Sequence, residues 1–198
     1  MKRIVVAIAV VLLAALNADF AAAENLTDKL AVSGRIGFTL PSDSEWNGNR
    51  SLTADTGVIL GVGLLYGISR NLAAEVEYTH SNYDLKTDAF FRDGTANVND
   101  LSLGLQWRFP SRQATPYVGG GLSILFNDYT DASVENTVGV NLKGGIDYFV
   151  SPRLALNAEM KLVISPTADM YDQSSSSIGH GSFDPSSFSG LFGIRYFF

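Results

Sequence analysis

Apolar and polar residues alternate strictly along several stretches of this chain, a period of two that is typical of β-strands with two different environments on their faces. The longest example is the segment Leu154–Ile164, and residues 72–79 and 101–109 follow the same rule. After residue 24, no stretch repeats apolar residues every three to four positions over the length of a helix. The pattern therefore predicts an all-β mature chain.

Weaker alternation completes a set of eight predicted strands, at about 31–40, 55–68, 116–127, 137–150 and 187–198. Each is at least roughly the 9–11 residues that a tilted membrane strand requires. Brief turns are predicted at 69–71, 110–115 and 151–153, and longer polar loops near 41–54, 83–98, 128–136 and 165–186. Short connections on one side and long ones on the other are typical of outer-membrane barrels. We predict an eight-stranded antiparallel up-and-down transmembrane β-barrel.

Charged residues lie on the polar faces of six of these strands, with both signs nearly balanced. They are Arg35, Glu75, Glu77, Arg108, Lys143, Asp147, Glu159, Lys161 and Arg195. If the apolar faces point outward, all nine occupy the lumen, where buried charges persist only when paired and hydrogen-bonded. An eight-stranded barrel is just wide enough for side chains to fill it. The sequence thus predicts a plugged lumen with a structural ion-pair network.

The opposite arrangement, with charges outside and an apolar cavity inside, would be a soluble lipocalin-like barrel. Aromatic residues argue against it, because they cluster at strand ends with the outward parity expected for membrane-interface girdles. These residues are Phe38, Tyr66, Tyr78, Trp107, Phe109, Phe126, Tyr148, Phe192, Tyr196 and Phe198. The membrane barrel is the favoured interpretation.

The first residues have the pattern of a secretory signal peptide, with Lys2 and Arg3 before an apolar run at 4–16 and small residues at 21–23. The run is shorter than the roughly 20 residues that a permanent membrane helix needs. We predict a signal peptide at 1–23 and a barrel domain at 24–198, with the mature chain beginning at Glu24.

Composition excludes several classes of function. Cleavage would remove two of the 14 basic and one of the 20 acidic side chains, changing the net charge from −6 to −7. Lysine and arginine are scattered singly, so nucleic acid is not an expected partner. The absence of cysteine excludes disulfides and thiolate metal sites. No cofactor or metal is predicted.

The last residues, Ser189–Phe198, resemble the closing strand of bacterial outer-membrane proteins, in which apolar residues alternate up to a terminal aromatic. Residues 115–121, and 144–149 continuing into 154–159, are similar to small barrels of the OmpA, OmpX and OmpW kind. This resemblance implies an outer-membrane monomer in contact with membrane lipid and lipopolysaccharide. It also implies that the barrel assembly machinery recognises Phe198. Three roles stay open: a structural or surface-interaction protein, a passive channel for small solutes that could be apolar, and a lipid A hydrolase.

Neither histidine matches a catalytic arrangement. Hydrolases resembling the lipid A deacylase PagL carry His-x-Ser-Asn, whereas His80 is followed directly by Ser81 and would point to the opposite face of the strand. His180 has the spacing to Ser182 but lies in a Gly/Ser-rich loop without the following Asn or a later Glu. We expect no enzymatic activity, with His80 at the membrane interface and His180 in solvent.

Two acidic groupings have structural interpretations. Glu75 and Glu77 share a strand face and could serve as a glycosidase acid and base, but we favour ion pairs with Arg108 on the next strand. The predicted loops are rich in aspartate and could bind calcium, but they lack the spacing of a dedicated calcium loop. A solvated acidic rim is the favoured interpretation.

Overall fold

The computed structural model describes residues 26–46, 50–87, 94–111, 113–129, 132–172 and 180–198. This part of the chain forms 13 strands. They are β1 (Leu30–Pro41), β2 (Ser44–Trp46), β3 (Arg50–Ala54), β4 (Gly57–Gly67), β5 (Leu72–Thr87), β6 (Gly94–Arg108), β7 (Ala114–Tyr129), β8 (Ala132–Val134), β9 (Thr137–Phe149), β10 (Leu154–Ile164), β11 (Ala168–Asp172), β12 (His180–Phe183) and β13 (Ser187–Phe197). The described residues include no helix long and apolar enough to cross a membrane. The predicted signal peptide at 1–23 lies outside them.

Eight long strands close into one antiparallel barrel, in the order β1, β4, β5, β6, β7, β9, β10 and β13. The last strand pairs with the first along its whole length, from Ala31 opposite Phe197 to Pro41 opposite Ser187. This closure confirms the predicted eight-stranded fold, and each long strand coincides with a predicted segment. It leaves the long strands without a free edge, so their backbone groups pair within the barrel wall.

The predicted long loops are the main correction. Strands β2, β3, β8, β11 and β12 pair with one another and with the ends of β5 and β7, so they continue the barrel wall beyond the eight long strands. The hairpin of β5 and β6 also extends well into the predicted loop at 83–98. These segments carry only a few inward apolar residues, such as Ala168 in β11 and Phe183 in β12, so alternation over so few positions could not reveal them. Pairing with neighbouring strands forms them instead.

The two ends of the barrel differ in their connections. The links from β4 to β5, from β6 to β7 and from β9 to β10 are short and lie at the end where β1 begins and β13 ends, which we call the turn end. The opposite end, where the short strands extend the wall, is called the loop end. This asymmetry matches the prediction.

Side chains alternate between outside and inside as the sequence predicts. In β4 exposed and buried residues alternate at all 11 positions. Its outward residues Val58, Leu60 and Val62 are 50–59% exposed, although each is apolar. The large exposed side chains of the long strands are mostly apolar, whereas charged side chains of other strands, such as Arg35 and Glu75, are buried inside.

The lumen is filled in three layers, visible along β10 as Ala155, then Asn157, Glu159 and Lys161, then Val163. The turn-end layer is apolar and contains Leu26, Ala31, Leu65, Ala73, Phe149, Ala155 and Phe197. The loop-end layer is also apolar and contains Tyr83, Ala96, Val98, Leu125, Val163, Ala168 and Phe183. Between them lies a layer of charged side chains.

The chain that precedes β1 helps to close the turn end. Asp28 adopts a left-handed backbone with φ of 60° and donates its N–H to the carbonyl of Gly67 at 2.8 Å. This bend brings Leu26 into the turn-end layer, where it is 3% exposed. A side chain at Gly67 would strike the Leu26 carbonyl, so glycine is required there.

Candidate functional site in the barrel lumen

Arg35 on β1 lies at the centre of the charged layer. Its guanidinium donates to Glu75 Oε1 at 2.6 Å and to Glu159 Oε1 at 2.7 Å, and it also contacts Glu77. The carboxylates come from β5 and β10, on opposite sides of β1 in the barrel order. One planar guanidinium with five donors can serve several carboxylates at once, which a lysine ammonium cannot do in the same fixed geometry.

Asp147 on β9 forms the second centre. It accepts a hydrogen bond from Arg195 at 2.5 Å and another from Arg108, while Asn157 donates to its other oxygen at 2.7 Å. The two guanidinium carbons lie 5.2 Å (Arg108) and 5.5 Å (Arg195) from the centroid of the Tyr117 ring, within cation–π range. The Tyr117 hydroxyl donates to Glu159 at 2.7 Å and so links the two centres.

Two lysines complete the layer. Lys143 contacts Glu75 at 2.6 Å, and Lys161 contacts Glu77 at 2.7 Å and Asp100 at 2.8 Å. The layer then holds five cations (Arg35, Arg108, Lys143, Lys161 and Arg195) and five anions (Glu75, Glu77, Asp100, Asp147 and Glu159). Formal charge is balanced, so each buried charge has an opposite partner, as burial requires.

Burial sets the energetics of this network. All ten side chains are 7% exposed or less, and Asp147 and Arg195 are fully buried. Bringing a charge out of water costs several kcal/mol, about as much as pairing returns. The network is therefore sensitive to loss of one partner, because the other charge is then buried alone.

Three carboxylates in this layer are close enough to share a metal ion. One oxygen from each of Glu75, Glu77 and Glu159 lies within 4.8 Å of the others. Arg35 contacts all three, and the two lysines contact Glu75 and Glu77. Each of the three carboxylates is thus already paired with at least one protein cation.

Gly145 is required by the packing around Tyr117. A Cβ at this position would lie 2.5 Å from the Tyr117 hydroxyl and 2.5 Å from the Ala158 carbonyl. We expect Gly145→Ala to lower the free energy of unfolding by about 1–3 kcal/mol, the usual cost of overpacking. Gly144→Ala is the matched control, because its nearest neighbour lies at 3.8 Å. Urea titration in lipid vesicles measures both, and equal losses would contradict the packing argument.

Comparison with known families decides what kind of barrel this is. The model of the outer membrane protein beta-barrel domain matches residues 8–183, which is most of the chain. The chain belongs to the outer membrane protein beta-barrel family. This membership confirms the resemblance seen in the sequence, and it places the protein in the bacterial outer membrane.

Solved structures of other outer-membrane barrels have the same fold. OprG from Pseudomonas aeruginosa is similar with a TM-score of 0.74 at 16% identity, over 91% of this chain and 99% of that one. E. coli OmpW has a TM-score of 0.52 at 19% identity, over 91% of this chain and 100% of that one. Neisserial surface protein A has a TM-score of 0.53 at 14% identity, over 86% of this chain and 97% of that one. At these identities the likeness shows the fold alone. A comparison with curated protein sequences found no match.

Membership in this family explains the two faces of the wall. In an outer-membrane barrel the outward apolar residues contact lipid, and the aromatic residues near strand ends lie at the membrane interfaces. Tyr66, Trp107, Phe109 and Phe198 are outward-facing near the turn end and are 46–61% exposed in the absence of lipid. Exposed apolar surface on this protein is thus a lipid-contacting surface.

The structure brings all nine predicted lumen residues together, and it adds partners that the sequence did not single out. Asp100 was missed because the predicted strand began at residue 101, although its parity is inward. The predicted pairing of Arg108 with Glu75 and Glu77 is wrong: Glu75 lies opposite Gly104, and Arg108 reaches across to Asp147. Gln106 provides the link instead, accepting from Arg108 at 2.8 Å and donating to Glu75 at 2.7 Å.

The remaining predicted residues lie away from the lumen network. His80 is exposed on the outer face and contacts Asn99, whereas Ser81 is buried inside, as the strand geometry requires. The side chain of His180 is outside the described part of the structure. Phe198 follows β13 at the turn end, where its N–H donates to the Leu30 carbonyl. Its recognition by the assembly machinery stays a prediction.

Proposed function

We propose that this outer-membrane barrel is sealed and non-conducting, and that its role is structural or one of surface interaction. The observation that supports this proposal is the charge-balanced layer of ten buried side chains across the lumen. An ion crossing this layer would have to separate pairs whose disruption costs about 3–5 kcal/mol when one partner is left alone. The two apolar layers interrupt any chain of water on both sides.

Conductance across a planar bilayer tests this proposal directly. We expect the purified barrel, reconstituted at neutral pH, to give no sustained single-channel steps, because the filled lumen offers no continuous water path. A 16-stranded porin, whose larger barrel leaves an aqueous channel, serves as the positive control. Steps that persist and scale with salt concentration would overturn the sealed lumen.

We infer further that the protein catalyses no reaction. Within the described residues, His80 faces outward with Asn99 as its partner, and the neighbouring Ser81 hydroxyl donates to the Val98 carbonyl inside the barrel. A nucleophile and its base must share a hydrogen bond, and these two groups lie on opposite faces of the wall. The lumen carboxylates are occupied by cations, as a structural network requires.

A second candidate function is favoured by the loop-end apolar layer. Among the described residues, this layer contains the side chains of Tyr83, Leu125, Val163 and Phe183. Apolar lining with few polar groups suits small hydrophobic molecules better than ions. Entry of such a molecule from the loop end would require these side chains to move, and the charged layer would stop it from crossing to the turn end.

A further inference from the structure

The three short links at the turn end share one construction. Each has a serine, two intervening residues and then an apolar residue, at 69–72, 111–114 and 151–154. In all three, the serine N–H donates to the carbonyl of the apolar residue at 3.0–3.2 Å. In the first and third links, the serine hydroxyl also accepts from the N–H of the leucine, at 3.2 and 3.1 Å. The serine and the backbone thus complete each turn.

One of the two intervening residues in every link is an arginine. These residues are Arg70, Arg112 and Arg153, of which Arg112 lies outside the described part of the structure. Arg70 and Arg153 are exposed, and neither forms an ion pair with another described residue. Because the turns close without these side chains, contacts within the fold do not account for the two arginines.

Charged side chains outside the charged layer of the lumen are segregated between the two ends of the barrel. Among residues 26–198, the turn end carries Lys29 and the three arginines against one acidic side chain, that of Asp28. Asp28 accepts a hydrogen bond from the Tyr66 hydroxyl at 2.9 Å. The loop-end connections have the opposite balance: basic Arg50, Lys86 and Arg92 against acidic Asp43, Glu45, Asp55, Asp84, Asp88, Asp93, Asp128, Asp131, Glu135, Asp169, Asp172 and Asp184. The turn end is therefore the positive end of the barrel.

The short links hold the arginines at the depth of the lipid headgroups. Trp107 is outward and 52% exposed, and strand pairing places it opposite Leu72, two residues after Arg70. Tyr148 is also outward and lies five residues before Arg153. Tryptophan and tyrosine rings of this kind lie at the membrane interface. Links this short cannot carry the arginines far beyond the interface, so the groups that they meet are lipid headgroups.

We propose that the turn-end arginines bind the phosphates of anionic phospholipids in the periplasmic leaflet and concentrate those lipids around the barrel. Short turns face the periplasm in outer-membrane barrels, and that leaflet consists of phospholipids. A guanidinium offers phosphate several donors in a fixed fork. A zwitterionic headgroup also has a phosphate, but its own cation competes for that phosphate and is repelled by the arginine.

This inference goes beyond the contact with lipid that any membrane barrel makes. Such contact follows from the apolar wall, whereas selection of lipids by charge follows from the arginines in the turns. It is also independent of whether the lumen conducts, because the arginines lie outside the charged layer.

Quenching of Trp107 fluorescence by brominated lipids tests this proposal. The chain has two tryptophans, so Trp46→Phe leaves Trp107 as the only reporter. The full-length barrel is reconstituted in phosphatidylcholine vesicles that contain either brominated phosphatidylglycerol or brominated phosphatidylcholine at the same mole fraction. We expect phosphatidylglycerol to quench more strongly. Arg70→Gln should lower this preference about fivefold, the factor that one cation contributes near an anionic lipid surface.

Three controls make the result specific to the charge in this turn. Arg70→Lys keeps the positive charge and should keep most of the preference. Asp84→Asn changes the net charge by one unit at the loop end and should leave the quenching of Trp107 unchanged. High salt should weaken the preference of the wild type, because exposed charges are screened.

A second reporter tests the other described link. Tyr148→Trp in a background of Trp46→Phe and Trp107→Phe places the only tryptophan near Arg153. We expect Arg153→Gln to lower the phosphatidylglycerol preference at this reporter more than Arg70→Gln does, and the reverse order at Trp107. Equal effects of both variants at both reporters would contradict binding at the individual turns.

Two measurements show that each variant is folded. The folded barrel keeps its faster mobility in unheated detergent gels, and its free energy of unfolding in pure phosphatidylcholine vesicles should be nearly unchanged, because neither arginine has a carboxylate partner among the described residues. Equal quenching of the folded wild type by the two lipids, as expected if the arginines faced an acidic polymer away from the membrane, would overturn the proposal. A preference for phosphatidylglycerol that survives Arg70→Gln in full would overturn it as well.

Discussion

Replacing Arg35 by methionine is expected to lower the free energy of unfolding by about 3–5 kcal/mol. The substitution leaves Glu75, Glu77 and Glu159 without the guanidinium that joins them. Lys143 and Lys161 then face an excess of negative charge that the buried layer cannot hydrate. The methionine approximates the length of the arginine stem, so the lost charge and hydrogen bonds cause the effect. Urea titration of the barrel refolded in lipid vesicles measures it.

Two control variants distinguish the effect of losing the buried network from the effect of losing one positive charge. Arg70→Met removes the same group from an exposed position in a turn-end link, where surface substitutions usually change stability by less than about 0.5 kcal/mol. Arg35→Lys keeps the charge but not the planar fork, and we expect an intermediate loss. If Arg35→Met were as stable as Arg70→Met, the charged layer would not be the closed network described above.

Replacing Phe183 by alanine is expected to lower the free energy of unfolding by about 3–5 kcal/mol. The ring is 2% exposed and packs in the loop-end apolar layer. The lost ring leaves a cavity among Tyr83, Leu125 and Val163. Phe183→Leu is the control at the same position, because a smaller change of volume in a core costs less. The same urea titration measures both variants.

The alanine variant also tests the second candidate function. If the loop-end layer accepts small apolar molecules, a saturating short alkane should raise the free energy of unfolding of Phe183→Ala more than that of the wild type, since binding to the folded state alone stabilises it. A loss below about 1 kcal/mol for the alanine variant would show that Phe183 is not part of a packed layer. An alkane effect of the same size in both proteins would argue against binding at this cavity.

Several features of the fold follow from the period of two alone. Alternation along Leu154–Ile164 predicts both the strand and the inward direction of Glu159 and Lys161, because side chains of a strand point to opposite faces in turn. The balance of charges on one face and aromatics on the other predicts which face is inside. These inferences need no knowledge of which strand lies beside which.

The individual ion pairs could not be predicted in this way. Arg108 pairs with Asp147 and not with the nearby Glu75, because long side chains cross the lumen and choose partners by three-dimensional distance. Tyr117 and Gly145 form a packing pair only because strand register places them opposite each other. Register depends on hydrogen bonds among all eight strands, so it cannot be predicted from the sequence of any one strand.

The short strands at the loop end show the same limit. Segments such as β2 and β11 are only three and five residues long, so the pattern of their side chains does not distinguish strand from loop. They form strands because the long strands place them next to segments with which they pair: β11 pairs with β8, and β2 pairs with β12. The sequence by itself determined the barrel, its strand number and the polarity of its wall, since these depend on the local alternation of side chains. Only the tertiary structure decided the partners within the lumen and the extended wall, since these depend on which strands lie side by side and in what register.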